Sequence, residues 1–273
     1  MNPTISETIG EAEIDAFQRD GAVCLRGLFD ADWLALLRAE TERALAAPGP
    51  FAEEYTKPGR PGRYFGDLDV WQRWEGFQRF AFHSPAAGIA GRLMQSDRVR
   101  FLYDQLLVKE PGTRENTPWH QDQPYWAVRG RQICSIWLPL DPVSRDSAVS
   151  FVAGSHSAGR MYGPHHFSDG TPYKGRNLPP LPDIDGDRSA HRLLGWDLEP
   201  GDCLVFHALT IHGSGGNSSL TQRRRALATR WTGDDVVYWH DGGEIAIPTS
   251  DVGLRNGDPL DGPIFPLVWQ REE

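Results

Sequence analysis

Apolar positions follow a helical period in the first third of the chain and a strand-like pattern after it. Residues Ser6 to Asp20 carry Ile9, Ile14 and Phe17 near helical spacing, with Gly21 as a stop. Ala22-Val23-Cys24-Leu25-Arg26 reads as a strand. Asp30 is a capping candidate for a second helix, Asp32 to Ala47, whose Trp33, Leu34, Leu37 and Leu45 keep the period. Pro48-Gly49-Pro50 ends it. Residues 48 to 70 are rich in Gly, Pro and charge and read as a long loop. Loops of that length are usually functional or disordered. Residues 71 to 96 return to a helical pattern, with an aromatic stripe of Trp71, Trp74, Phe77 and Phe80 that reads as core.

From Val99 the texture is that of strands. Arg98 to Lys109 is a β-type run, turned by Pro111-Gly112-Thr113. A strand carrying Trp119-His120-Gln121-Asp122 follows, then Gln132 to Leu140 and the short Val149 to Val152. Residues 155 to 190 are poor in aliphatic side chains and rich in Gly, Pro, Asp and His; they read as a lid-like excursion. His191 to Asp197, Asp202 to His207 and Arg225 to Trp231 complete the strands. Many short strands with Gly/Pro-rich turns predict a sandwich or jelly roll. The expected architecture is one mainly β domain over 1–273. Helices over about 6–96 pack on a core over about 98–240.

Composition narrows the function classes. A formal net charge of −9 over 273 residues argues against a nucleic-acid footprint and, mildly, against anionic membranes. No apolar run approaches the roughly 20 residues that span a bilayer, and the polar, acidic N-terminus does not read as a signal peptide. Cys24, Cys134 and Cys203 are far apart and form no CxxC pair, which suits a reduced compartment. The expectation is a cytoplasmic protein that acts on a small molecule.

The candidate chemistry starts at His120 and Asp122. On a strand, residues two apart share a face, so an imidazole and a carboxylate can close on one metal. A third ligand must come from elsewhere, and His207, His156, His165, His166 and His212 all compete. Two histidines and a carboxylate leave open positions on a non-haem Fe(II) for a cosubstrate and dioxygen. A dicarboxylate that chelates the iron needs a cation one ligand-length away, which Arg supplies bidentately. Arg223, Arg224 and Arg225 are the run that follows Ile211-His212-Gly213-Ser214-Gly215-Gly216-Asn217.

The His-Gln-Asp stretch with its downstream Trp, the Gly-Ser-His turn at 154–156, and the His-Gly-Ser-Gly-x-Asn…Arg segment resemble the phytanoyl-CoA dioxygenase family of Fe(II)/2-oxoglutarate oxygenases, over about residues 15 to 235. The resemblance implies a double-stranded β-helix (a cupin-like jelly roll) and the cofactors Fe(II), 2-oxoglutarate and O2. It implies iron ligands His120, Asp122 and His212. Arg223 would take the distal carboxylate of 2-oxoglutarate with Ser214 beside it, and Trp137 and Gln105 would flank the cosubstrate. Ala148 stands where the family usually has Gly, and Asp122 argues against the halogenase variant. The reaction implied is hydroxylation of an unactivated C–H with release of succinate and CO2. A metal-dependent isomerase or hydrolase, and a non-catalytic binding barrel, are the alternatives. Substrate-contact candidates are Tyr64, Phe65, Gln123, Trp126 and Trp231. Trp231 shares a strand face with Arg225, Leu227 and Thr229, taken here as the inward one.

Overall fold

The computed structural model describes residues 9–247 and 252–272. Helix α1 spans Glu11–Asp20, so positions 6–8 of the expected helix lie outside the described residues. It stops where expected. Gly21 sits at φ 76° and its N–H reaches the Phe17 carbonyl, a left-handed cap that glycine adopts without steric cost. Helix α2, Ala31–Ala46, begins at Asp30, whose carboxylate accepts from the backbone N–H of Asp32 and Trp33. The expected helical stretch 71–96 is two helices, α3 (Glu75–His83) and α4 (Ala86–Met94). Pro85 between them has no N–H to continue the ladder.

Two antiparallel sheets form the body. The larger is eight-stranded. It runs in the order β1 (Ala22–Leu25), β10 (Cys203–His207), β7 (Ile133–Pro139), β12 (Arg224–Thr232), β4 (Arg98–Lys109), β3 (Tyr64–Leu68) and β2 (Glu53–Glu54), with β14 (Leu267–Gln270) also on β4. The smaller has the order β5 (Thr117–His120), β11 (His212–Ser214), β8 (Val149–Val152) and β9 (Leu193–Leu194). A short pair joins β6 (Val128–Arg129) to β13 (Val237–Tyr238). This is the expected jelly roll.

Three expectations change. The 48–70 loop contains the hairpin β2–β3, which adds to β4 with Phe65 opposite Val108. Its Gly, Pro and charges hid a strand supported by its neighbour. The 191–197 strand shortens to Leu193–Leu194. The strand carrying His120 ends there: Asp122 takes helical dihedrals (φ −76°, ψ −48°) before a 3₁₀ turn over Gln123–Tyr125.

The larger sheet separates two layers. Its outer face carries Leu106, Val108, Ile136, Leu138, Leu227 and Trp231 against the helices. Its inner face carries Trp137, Ala226, Ala228 and Phe206 against Val149 and Phe151 of the smaller sheet. Trp231 therefore points away from the barrel interior, a reversal of the expected direction. Residues 225, 227, 229 and 231 do share one side, but Arg225 pairs there with Asp141 at 2.7 Å. Trp231 is fully buried, packs edge-on to Phe101 at 4.9 Å, and donates its indole N–H to Thr229. Trp231→Ala is expected to cost about 3–5 kcal/mol, the range for emptying a core aromatic site. Urea denaturation measures it; a loss below about 1 kcal/mol would contradict this placement.

Candidate metal centre and the pockets beside it

His120 ends β5 and His212 begins β11, and the two strands pair in register at these residues. Strand pairing, rather than alternation along one strand, sets the two imidazoles side by side, with ring centroids 4.1 Å apart. Asp122 enters from the turn that follows. Its Oδ1 lies 3.5 Å from His120 Nε2 and 3.6 Å from His212 Nε2. One ligand atom from each residue falls within 4.8 Å of the others, and this is the His/Asp group among the described residues arranged to hold a metal.

The orientation of each ligand is held from behind. His120 Nδ1 is 2.8 Å from the Pro118 carbonyl, and His212 Nδ1 is 2.9 Å from the Thr210 carbonyl. A carbonyl only accepts, so both rings carry their proton on Nδ1 and turn the Nε2 lone pair toward Asp122. Ser135 donates to Asp122 Oδ2 at 2.6 Å, which leaves Oδ1 facing the histidines. Burial and the neighbouring His120 push His212 down to about 3. Burial opposes the charge on Asp122, but the two histidines and Arg230 hold its carboxyl below the usual range.

His207, His156, His165 and His166 do not join this group. His207 Nε2 meets the Arg131 carbonyl at 2.8 Å, and its ring lies against His156. His166 pairs with Glu244 at 3.2 Å.

On one side of the triad lies a cavity lined among others by Tyr64, Gln105, Trp137, Ser214 and Arg224. Arg223 is not there. Its guanidinium faces outward, with Nη2 2.6 Å from Glu110 and Nη1 2.8 Å from Glu42. The expected placement of Arg223 is corrected by one residue, because alternation along β12 turns 224, 226, 228 and 230 inward. Arg224 is buried, 3.3 Å from Ser214 Oγ and with its guanidinium carbon 5.4 Å from the Trp137 ring centroid. Burial lowers it to about 10.

Lys109, which the sequence reading passed over, is the next inward position on β4 after Tyr103, Gln105 and Leu107. Its Nζ reaches Gly215 O at 2.8 Å and Ser214 Oγ at 3.3 Å and lies 4.3 Å from the centroid of the Tyr64 ring. Burial and Arg224 push it well below its ordinary value. Among the described residues no carboxylate lies within 4 Å of Arg224 or Lys109. Arg224 Nε and Trp137 Nε1 are buried and without hydrogen-bond partners. A buried cation without an anion is costly, so this end of the cavity is chemically suited to an added carboxylate.

On the other side lies a second cavity, where Tyr103, Tyr125, Trp126, Phe167, Tyr173 and Arg230 join His120 and Asp122. Phe167, from the 155–190 excursion, stands 4.7 Å from the His120 ring. Of the substrate-contact candidates, Tyr64 and Trp126 line a cavity. Phe65 belongs to the helix-facing core with Trp231. Gln123 is buried and donates to the Gly130 carbonyl. Tyr55, Tyr125, Phe167, Tyr173 and Arg230 were missed: the rings come from turns and distant segments, and Arg230 lies on the β12 face that was expected to point outward.

The jelly roll with a two-His, one-carboxylate set and an unpaired cation pocket defines a class: the non-haem, 2-oxoglutarate-type oxygenase scaffold. Residues 17–226 match the phytanoyl-CoA dioxygenase (PhyH) family, and the chain belongs to it. It is 27% identical over 222 residues to the ectoine dioxygenase of Stutzerimonas stutzeri, covering 77% of this chain and 72% of that protein. It is 26% identical over 143 residues to a probable phytanoyl-CoA dioxygenase of Caenorhabditis elegans; that match covers 50% of this chain and 44% of the relative, so the chain spans less than half the length of that protein. The non-heme alpha ketoglutarate dependent carbocyclase SnoK from nogalamycin biosynthesis has the same fold, with TM-score 0.77 and 22% identity over 98% of this chain and all of that one. Iron and 2-oxoglutarate are the cofactors that this site suits, as in the SnoN complex with Fe3+ and alpha ketoglutarate, and His120, Asp122 and His212 are the group arranged to hold a metal here. No helix among the described residues is long and apolar enough to cross a membrane.

Proposed function

We propose that the chain is one catalytic domain, an Fe(II)- and 2-oxoglutarate-dependent dioxygenase that hydroxylates an unactivated C–H bond of a small or medium organic substrate, releasing succinate and CO2. The observation that carries this reading is the juxtaposition of a three-ligand triad with buried Arg224 and Lys109, cations that lack a carboxylate partner among the described residues. Metal and cosubstrate together supply the activation of dioxygen.

The protein's share is placement. His120, Asp122 and His212 hold the iron through Nε2, Oδ1 and Nε2. Arg224 receives the distal carboxylate of the cosubstrate in place of Arg223, with Ser214 and Lys109 donating beside it. Trp137 packs against its chain, and Gln105 stands near the chelating end. The aromatic cavity beyond His120 takes the substrate, with Trp126 as a contact, while Tyr64 lines the cosubstrate cavity. Phe167 and the rings around it keep water from the reacting centre. The low basicity of His212 keeps its lone pair available to metal well below neutral pH.

The test is anaerobic addition of Fe(II) and 2-oxoglutarate, followed by visible absorption. A weak metal-to-ligand charge-transfer band is expected only when both are present. Bound metal without that band would remove the oxygenase reading and favour an isomerase, a hydrolase or a silent binding barrel. With the band in hand, succinate release screens substrates. Epimerised or cyclised products would retain the oxygenase and overturn hydroxylation.

A further inference from the structure

Arg230 is the charged group that the cosubstrate reading does not use. It sits at the opposite end of the inward face of β12 from Arg224, roughly 20 Å away along the strand at about 3.4 Å per residue. Its side chain is 6% exposed. It lines both cavities, so it stands at the junction of the metal site and the aromatic chamber.

Its position is fixed by neutral partners. Nη1 donates to the Ala228 carbonyl at 2.9 Å and Nη2 to Gln105 Oε1 at 2.7 Å. The guanidinium carbon lies 4.7 Å from the Tyr103 ring centroid. Tyr103 in turn accepts from Trp126 Nε1 at 2.7 Å. The Nε of Arg230 is buried and has no partner. A guanidinium offers five N–H groups, so donors remain free on a group already held in place.

Charge accounting points to what they are for. A ferrous ion and Arg224 are matched by Asp122 and the two carboxylates of 2-oxoglutarate. Lys109 sits at the Arg224 end of the first cavity, beside Ser214 and Gly215, and is not among the groups lining the aromatic chamber. Asp122 is the acid nearest Arg230, with Oδ2 3.9 Å from Nε; that oxygen already accepts from Ser135, and the other faces the metal. Asp104, whose field also reaches Arg230, is buried and its carboxyl is pushed well up, which favours the neutral acid. With metal and cosubstrate in place, the positive charge of Arg230 is left over. Glu53 also lines the chamber, but it is solvent-exposed and screened more than the buried arginine.

We infer that Arg230 is a specificity-determining residue, and that the primary substrate is a ring-bearing molecule with an acidic oxygen (a carboxylate, phenolate or enolate) that docks on Arg230 while its rings pack in the aromatic chamber. The aromatic walls supply offset and edge-on ring contacts. The arginine supplies the charge-assisted bond that sets which carbon faces the metal. The inference rests on the oxygenase reading above.

The test uses 2-naphthoate and its neutral isostere 2-naphthamide as probes, with the full chain held anaerobically in Fe(II) and saturating 2-oxoglutarate. Intrinsic tryptophan fluorescence reads binding and the charge-transfer band reads the metal site. A hydrogen bond to a charged group contributes about 1.5–3 kcal/mol, which is roughly ten- to a hundredfold in affinity. The acid is expected to bind at least about tenfold more tightly than the amide. Arg230→Gln should abolish that preference, with the band still formed at saturating 2-oxoglutarate. Arg230→Lys, which keeps the charge, should retain part of the preference.

Three results would overturn the inference. The acid shows no advantage in the unmodified protein. The acid displaces the band, which places it on the metal. Arg230→Gln raises the 2-oxoglutarate requirement about tenfold or more, which assigns the residue to the cosubstrate. The first two are read on the unmodified protein and do not depend on whether a variant folds. An absent band in that protein is instead the failure of the oxygenase reading itself.

Discussion

Arg224→Ala is expected to raise the 2-oxoglutarate concentration for half-saturation by about a hundredfold, whereas Arg223→Ala leaves it unchanged. The two arginines are adjacent in sequence and opposite in direction. Arg224 is buried beside Ser214 and Trp137, and burial lowers it to about 10. Its free energy of burial is recovered only when a carboxylate arrives. Arg223 already has carboxylates, Glu110 and Glu42, at a partly exposed surface, where such pairs contribute about 0–1 kcal/mol. Titration of the charge-transfer band with 2-oxoglutarate measures both variants. Arg224→Lys should fall between, because it keeps the charge and loses the two-pronged geometry. Removing an unpaired buried cation should not weaken the protein by itself, so the melting temperature without cosubstrate separates a binding defect from a folding one. An Arg223→Ala protein with the larger defect would return the role to the outward residue and contradict the β12 register.

Asp122→Ala and His212→Ala are each expected to abolish iron retention, and His207→Ala is expected to keep it. Both lost side chains contribute one of the three atoms clustered within 4.8 Å. With two ligands left, water competes for the iron, and Asp122 also supplies the one negative protein charge at the centre. His207 is occupied at both nitrogens: Nε2 faces the Arg131 carbonyl, and Nδ1 accepts from the Leu209 N–H at 3.0 Å. Burial and His156 push it down to about 4, as for a histidine kept neutral inside the protein. Iron content after anaerobic loading and desalting decides the matter. Loss of iron in His207→Ala with retention in His212→Ala would overturn the ligand set. Circular dichroism on each variant distinguishes lost metal from lost fold.

Much of this was visible in the chain before any coordinates. Helical spacing around Ile14 and Phe17, the Gly21 stop and the Asp30 cap are local signals, and local dihedral preferences and side-chain capping enforce them. Arg98–Lys109 was legible as a strand because twelve residues of β-type pattern need no partner to be recognised. The jelly roll followed from the sequence of short strands and turns, and the candidate iron ligands from the family resemblance. What stayed hidden was decided by partners remote in sequence. The hairpin β2–β3 exists because β4 offers it an edge, so its own composition still looked like a loop.

Direction is the clearest case. Alternation places 224, 226, 228 and 230 on one side of β12 and 225, 227, 229 and 231 on the other, but it does not say which side is the interior. The helices cover one face of the larger sheet with apolar side chains, which draws Leu227 and Trp231 outward into that layer. The other face is left to Arg224, Ala228 and Arg230 around the metal site. His120 and His212, ninety-two positions apart, meet through the β5–β11 pairing. Thus residue identity, local conformation and the list of possible ligands were written in the sequence. Which of the candidate ligands meet, which arginine turns inward beside Ser214 and which rings line the second cavity were settled by burial and sheet pairing, because those energies depend on neighbours that only the folded chain brings together.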